Sequence, residues 1–185
     1  MPSIEIFLED IVFDPEVQNY CNNPKFKCPN YGHSWACPPE APYLEEKVAQ
    51  FHKFYLIYYD FNLKEYVKKK KEQYPNRSED RIKNSFYHKE FVRDYLENEI
   101  FEFLDNLKEP YNEKLILWDG YCRVCNKEGK NCTYDDSQPC RFPNEKRLSM
   151  EAVGINVDKT VRNIKIPIEW PPSNHAYRFG LICIK

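Results

Sequence analysis

Glycine is scarce in this chain, five residues in 185, and they form no phosphate-binding glycine loop. No run of eighteen apolar residues occurs either, which removes a membrane-spanning helix. The opening Met1-Pro2-Ser3-Ile4-Glu5 lacks a basic leader region and turns acidic early, so a secretory signal is not expected. Charge of one sign is missing as well. With 27 Lys and Arg against 29 Asp and Glu the formal net charge is -2, and no nucleic-acid or membrane partner is expected from that balance. The single basic run, Lys68 to Lys71, is followed by Glu72 and mixed charge, as on a solvated helix face. Catalytic signatures are also wanting. There is no Gly-x-Ser-x-Gly elbow, no His-Glu-x-x-His, and no C-x3-C-x2-C loop of the radical enzymes that use S-adenosylmethionine. His52, His88 and His175 stand isolated, as structural or surface histidines do.

What the chain has is cysteine in groups. Seven of its eight cysteines form two sets. The second set is Cys122-x2-Cys125-x6-Cys132-x7-Cys140, continuing into Arg141-Phe142-Pro143, and the first is Cys21-x6-Cys28-x8-Cys37, continuing into Pro38-Pro39. Thiolates grouped in this way select zinc or iron–sulfur clusters, the soft-ligand end of the metal series. A chain expected to stay in a reducing cytoplasm keeps its thiols free, which favours metal over disulfides, the intracellular disulfides of hyperthermophiles being the exception. Structural zinc sites usually show two tight C-x2-4-C pairs. Here only Cys122 and Cys125 make one, while Cys132 and Cys140 arrive singly, which suits a cubane with separated corners. The Cys140-Arg-Phe-Pro ending also matches the way proline turns the chain away from a cluster in bacterial ferredoxin runs. A [4Fe–4S] cluster on Cys122, Cys125, Cys132 and Cys140 is therefore expected, with zinc as the alternative.

The pattern of apolar residues gives the frame. Ile4 to Leu8 reads as an opening strand, Tyr43 to His52 as a helix, and Phe54 to Tyr59 as a buried strand. Asn62 with Glu65 three residues on resembles a capping box, and that helix should stop before Pro75. A long helix from near Ser78 to Leu107 is expected next, then a short strand from Leu115 to Trp118. A short helix capped by Ser149 and ended by Gly154 precedes a final strand from Tyr177 to Ile184. The expected fold class is α+β (or α/β), one compact domain over residues 1–185. It would hold a small mixed sheet, flanking helices and two cysteine-rich loops at one end. The 12 Phe and 14 Tyr residues supply large rings for the core and for walls around buried clusters.

At this point the residues match a family. Cys28-Pro-Asn-Tyr-Gly-His-Ser-Trp-Ala-Cys-Pro-Pro39 resembles the C-x2-YG-x2-W-x-CPP signature of the predicted metal-binding proteins called domain of unknown function 2284. Pro139-Cys-Arg-Phe-Pro143 and Leu148-Ser-Met-Glu-Ala-Val-Gly-Ile-Asn-Val157 resemble that family's PCR-x-P and SMEA-x-GI-x-V segments. The resemblance spans nearly the whole chain. It implies a cytoplasmic iron–sulfur protein of prokaryotes, commonly anaerobes including methanogenic archaea, with no established reaction. Two positions depart from the pattern: His33 stands where Lys or Arg is expected, and Cys183 where an aliphatic residue is expected.

The first set is the functional question. Cys21, Cys28 and Cys37 would leave a second cubane with one iron lacking a local cysteine, and an open position can bind and polarise a substrate group. Otherwise Cys21 is no ligand, and Cys28 and Cys37 complete another site. His33 and Cys183 are candidates for the fourth place, against readings as a loop residue and an inert buried thiol. Tyr31 and Trp35 offer walls with polar tips, and Trp35 is expected in the surroundings of the cluster. Arg141 is placed to neutralise cluster charge, to donate to an inorganic sulfide, or to form an ordinary salt bridge, and Glu151 to act as acid or base or as a helix-start charge. The expected function is electron transfer through two [4Fe–4S] clusters, to a redox partner protein or a small-molecule substrate that the sequence does not identify. One alternative is an enzyme using the open cluster for sulfur transfer or Lewis-acid chemistry. Another is a zinc-stabilised interaction module.

Overall fold

A computed structural model describes residues 3–24, 26–86 and 90–185, with Phe26 described in its backbone alone, and His88 lies outside these residues. Four strands form the main sheet: β1 (Ser3–Ile6), β4 (Lys53–Asn62), β6 (His175–Ile184) and β5 (Lys114–Leu117), in that order across the sheet. Every pairing in it is antiparallel. One isolated parallel bridge, Trp118 to Ser149, leads out of β5. The α+β expectation holds. The strand read at Phe54 to Tyr59 is the centre of the sheet and runs four residues longer, paired with β1 on one side and β6 on the other.

Alternation along the strands divides the core. Phe54, Leu56, Leu181 and Cys183 face one apolar cluster together with Val48, Met150 and Val153. Tyr55, Ile57, Ile182 and Ile184 face the other, against Leu96 and Ile100. A one-residue period shift separates the two sets, which is the pleat at work. Each fully buried aliphatic side chain here contributes about 2 kcal/mol by leaving water. Leu96 and Ile100 belong to the helix α4 (Phe91–Asn106), which crosses β4 and β6. Gly180 lets α4 approach, for a Cβ there would lie 2.8 Å from the Ile100 side chain.

A third cluster joins the helix α2 (Leu63–Gln73) to α3 (Glu79–Phe86), through Leu63, Val67, Ile82 and Phe86. Asn62 Oδ1 accepts from the Glu65 amide at 2.9 Å, and α2 stops two residues before Pro75 as expected. Its basic run is solvated, with Lys69 paired to Glu65 at 2.9 Å. The long helix expected from Ser78 to Leu107 is instead two described helices. Ile82 and Phe86 bury against α2, whereas Leu96 and Ile100 bury against the sheet, so the two halves answer to different partners.

Other expectations shorten. The helix read over Tyr43 to His52 is a single turn, α1 (Glu45–Val48). The first strand ends at Ile6, followed by a 3-10 turn, Leu8–Asp10. Ser149 Oγ accepts from the Ala152 amide at 3.1 Å, but the turn that follows is 3-10, Glu151–Val153, closed by Gly154 at φ 94°. A 3-10 helix at Pro15–Cys21 and two short helices, α5 (Val124–Lys127) and α6 (Val157–Asn163), carry no long apolar period and were not expected. Among the described residues no helix is long and apolar enough to cross a membrane.

Candidate metal centre

The first cysteine loop is shaped by a two-residue ladder. The 3-10 helix Pro15–Cys21 delivers Cys21 to β2 (Asn22–Asn23), which pairs antiparallel with β3 (Phe26–Lys27). The Cys28 amide donates to the Cys21 carbonyl at 2.8 Å, so the hairpin brings those two cysteines side by side. Beyond it the chain turns back, the Gly32 amide donating to Pro38 O at 2.9 Å across the base of a loop. Cys37 closes that loop. Its carbonyl accepts from both Glu40 and Ala41 at 3.0 Å, and its side chain is buried.

Cys21 and Cys37 both sense the thiols around them. Burial pushes Cys21 up to about 11, and Cys28 and Glu151 add to the shift. Burial likewise pushes Cys37 up to about 11; a hydrogen bond with Ser34 opposes, while Cys28, Cys21 and Cys122 reinforce. Cys122 belongs to the other set, so Cys37 stands where the two sets adjoin. Thiols that disfavour each other's ionisation bind as thiolates only with a cation among them, and loading such a site releases protons.

The second loop follows β5. The helix α5 rises from Arg123, and the Cys125 carbonyl accepts from Glu128 at 3.1 Å and Lys130 at 2.9 Å. Thr133 Oγ1 donates to Pro139 O at 2.9 Å, drawing Cys132 and Cys140 to the same side. All four cysteines line one small pocket of about 20 Å³, and Ser34, Trp35 and Ala36 of the first loop supply its facing wall. Arg141 Nη1 donates to Cys125 Sγ at 3.5 Å and to Asn131 O at 3.2 Å. Burial raises the Cys125 thiol, and Arg141 pulls against that shift. The contact places a cation at a cysteine sulfur.

One carboxylate anchors the loop. Glu97, buried on α4, accepts from Arg123 and Lys127 on either side of Cys125. Arg147 Nη1 lies 2.7 Å from Glu97 Oε2, at an angle that misses hydrogen-bond geometry, so this third contact is chiefly an ion pair. Arg123 reaches Asp94 at 3.0 Å and Glu90 at 3.1 Å as well. Burial opposes ionisation of Glu97, yet the contacts from Lys127, Arg147 and Arg123 outweigh it and hold the carboxyl down at about 2.

The two loops are also fastened to each other. Trp35 Nε1 donates to Gln138 O at 3.0 Å, and its ring meets Tyr134 edge-on at 4.9 Å. His33 Nδ1 lies 2.8 Å from Asp135 Oδ1, and Tyr134 donates to Glu40 at 3.2 Å. Trp35 was expected beside the first cysteine set. Its indole also lines the pocket of the second set, where its polar tip finds a carbonyl across the gap. His33 is taken up by Asp135, and Tyr31 is half-buried in the first loop. Cys183 is fully buried in β6 opposite Phe54 and Leu115, where burial pushes it to about 12; it is a core thiol. His175 pairs with Asp60 at 2.6 Å, and His52 is exposed. Among the described residues no three His, Cys, Asp or Glu side chains close on a point as a finished single-ion site.

Two thiol-lined loops, packed together at one end of an antiparallel α+β core, define a metal-binding protein by donor chemistry. The donor set fits the group: four cysteines share a pocket, a cation stands at one sulfur, and aromatic and apolar side chains stand in its wall. The family comparison agrees. The chain belongs to the family described as predicted metal-binding protein (DUF2284), whose model matches residues 5–184. Comparisons with curated proteins and with solved structures give no match.

Proposed function

We propose that this chain carries two [4Fe–4S] clusters and transfers electrons, with Cys122, Cys125, Cys132 and Cys140 holding one and Cys21, Cys28 and Cys37 holding most of the other. The observation that supports this reading best is the shared wall. The pocket of the second set is completed by residues 34–36, which precede Cys37. Clusters bound in the two loops would supply one-electron chemistry at adjoining positions. The residues of the chain do the rest. Arg141 offsets negative charge at Cys125, Trp35 and Phe142 keep water from the thiols, and the Glu97 anchor fixes the loop between Cys122 and Cys125. The fourth place at the first set is left for a group not supplied by a cysteine of that loop.

Two further readings each have an observation in their favour. The pocket that the four thiols help to line, about 20 Å³, is small for a cubane, which favours a single zinc ion once the thiols close on it. A larger cavity beside Cys21 suits an enzyme that uses an open position at the first set. Iron, zinc and acid-labile sulfide measured on anaerobically purified protein, with its electronic spectrum, separate the readings. About eight irons and eight sulfides per chain are expected. Zinc without sulfide would overturn the redox reading, and about four of each would confine it to the second loop.

A further inference from the structure

A cavity of about 370 Å³ lies away from the four cysteines of the second set. It opens where β6, the loop before β6, α6 and the Pro15–Cys21 helix meet. Its size falls within the range of small-molecule sites, and so does its make-up, a mainly apolar wall with a few polar groups. Tyr20, Trp170, Tyr177 and Phe179 present rings to it. Tyr177 and Phe179 stack at 5.9 Å along β6, which gives that wall a flat aromatic face.

The charges around the cavity do not cancel. Asp119 is flanked at 3.3 Å by both Arg93 Nε and Arg178 Nη1. Asp158 is met by Arg162 at 3.0 Å. Glu151 and Glu169 enter no ion pair among the described residues, and both line the space. Glu169 is fixed instead by neutral donors, first the Ser173 hydroxyl, then the Asn174 side chain at 3.2 Å and the Asn174 and Ser173 amides at 3.3 and 3.2 Å. Those hydrogen bonds hold its carboxyl down at about 2, so it stays anionic. Burial, and then Asp119, push Glu151 up to about 7, with Ser149 and Arg178 pulling the other way without forming an ion pair with it.

We propose that this cavity is a binding site for a small aromatic molecule carrying an ammonium group. The ring would lie on the Tyr177 and Phe179 face, and the ammonium would meet Glu151 and Glu169, with Trp170 and Tyr20 adding cation–π attraction. An anionic counterpart of the same shape would meet the fixed charge of Glu169, and Arg178, already shared with Asp119, would offset it only in part, so it should bind more weakly. The site does not depend on what metal the cysteines hold. It does adjoin the first set, because the helix that supplies Val17 and Tyr20 to the wall ends at Cys21. Gln18 on the same helix donates to Ala152 O at 2.8 Å and to Ala41 O at 3.0 Å, tying the cavity wall to both the Glu151 turn and the exit of the Cys37 loop.

The test is calorimetric titration of the anaerobically purified full chain with tyramine and, in parallel, 4-hydroxyphenylacetate. These probes share a ring and differ in the sign of their charge. Tyramine should bind saturably at one site, and the acid at least about tenfold more weakly. Trp170→Ala, at a side chain 80% exposed, should leave thermal unfolding unchanged and weaken tyramine several-fold. Glu151→Gln should weaken tyramine and shrink the preference over the acid. No saturable tyramine binding, equal binding of the acid, or full affinity in both variants would each overturn the proposal. Metal analysis is a separate measurement, so the failure of either idea leaves the other to its own result.

Discussion

Arg123 reaches from inside the second cysteine loop to Glu97 on α4, and through that contact the loop is bound to the helix that packs on the sheet. Glu97 gathers Arg123, Lys127 and Arg147, so removing its charge leaves three cations facing one another. Glu97→Gln should cost about 3 kcal/mol, the lower end for breaking a buried ion pair, because Arg123 keeps Asp94 and Glu90. Thermal unfolding of the purified variant gives the magnitude. A loss below about 0.5 kcal/mol, the size of an ordinary surface change, would mean the anchor is dispensable.

The same carboxylate sets an acid limit. Glu97 sits at about 2 in the fold against the ordinary 4.5, so the folded state is the weaker proton binder. Its contribution is fully present above about pH 4.5 and drains away as pH falls toward about 2. The amount is on the order of 2 kcal/mol after allowance for solvent screening. Denaturant unfolding across that window should show the decline in the natural chain and a flatter profile in Glu97→Gln. Parallel profiles would assign the acid limit to other groups.

Cysteine substitutions should divide the eight thiols into two kinds. Cys140→Ser removes one donor from the shared pocket and should abolish metal at the second set, leaving about half the total. Cys183→Ala deletes a sulfur from the core between Phe54 and Leu115. It should keep full metal content and lose about 1 kcal/mol or somewhat more of stability. Metal analysis and thermal unfolding of both variants check the pair. Metal loss in Cys183→Ala would return that thiol to the ligand question.

These contrasts mark what sequence could and could not foresee. The four-cysteine spacing is local, so the grouping of Cys122, Cys125, Cys132 and Cys140 was legible before any fold was known. The buried strand at β4 and the Asn62 cap were legible for the same reason, since period and capping act over a few residues. Glu97 was not legible, because an acidic residue on an amphipathic helix looks solvated until three distant cations converge on it. The docking of one cysteine loop on the other was hidden as well. Trp35 and Gln138 lie 103 residues apart, and no pattern within either loop announces the other. The long helix was misread because apolar spacing alone does not say which partner each turn will bury against. The cavity is assembled from segments at both ends of the chain, with no motif of its own.

Trp35 gives the sharpest check on that docking. Its indole N–H holds Gln138 O at 3.0 Å, its ring meets Tyr134, and its loop walls the pocket of a cysteine set that it does not belong to. Trp35→Phe keeps a ring and deletes the donor, leaving the Gln138 carbonyl to water at an exposed position. The net loss should be about 1 kcal/mol, the ordinary worth of one hydrogen bond. Its effect on the metal should be larger in rate than in content. The wall would open more often, and a chelator would strip the second set several-fold faster while the amount bound at the start stays the same. The first set, where no contact of the Trp35 ring holds a second loop in place, should lose metal at an unchanged rate. Following metal release with time under excess chelator distinguishes the two sets if Cys28→Ser is run alongside to silence the first. Equal acceleration at both sets would make Trp35 a general packing residue. No acceleration at either would mean that the two loops shield their thiols independently.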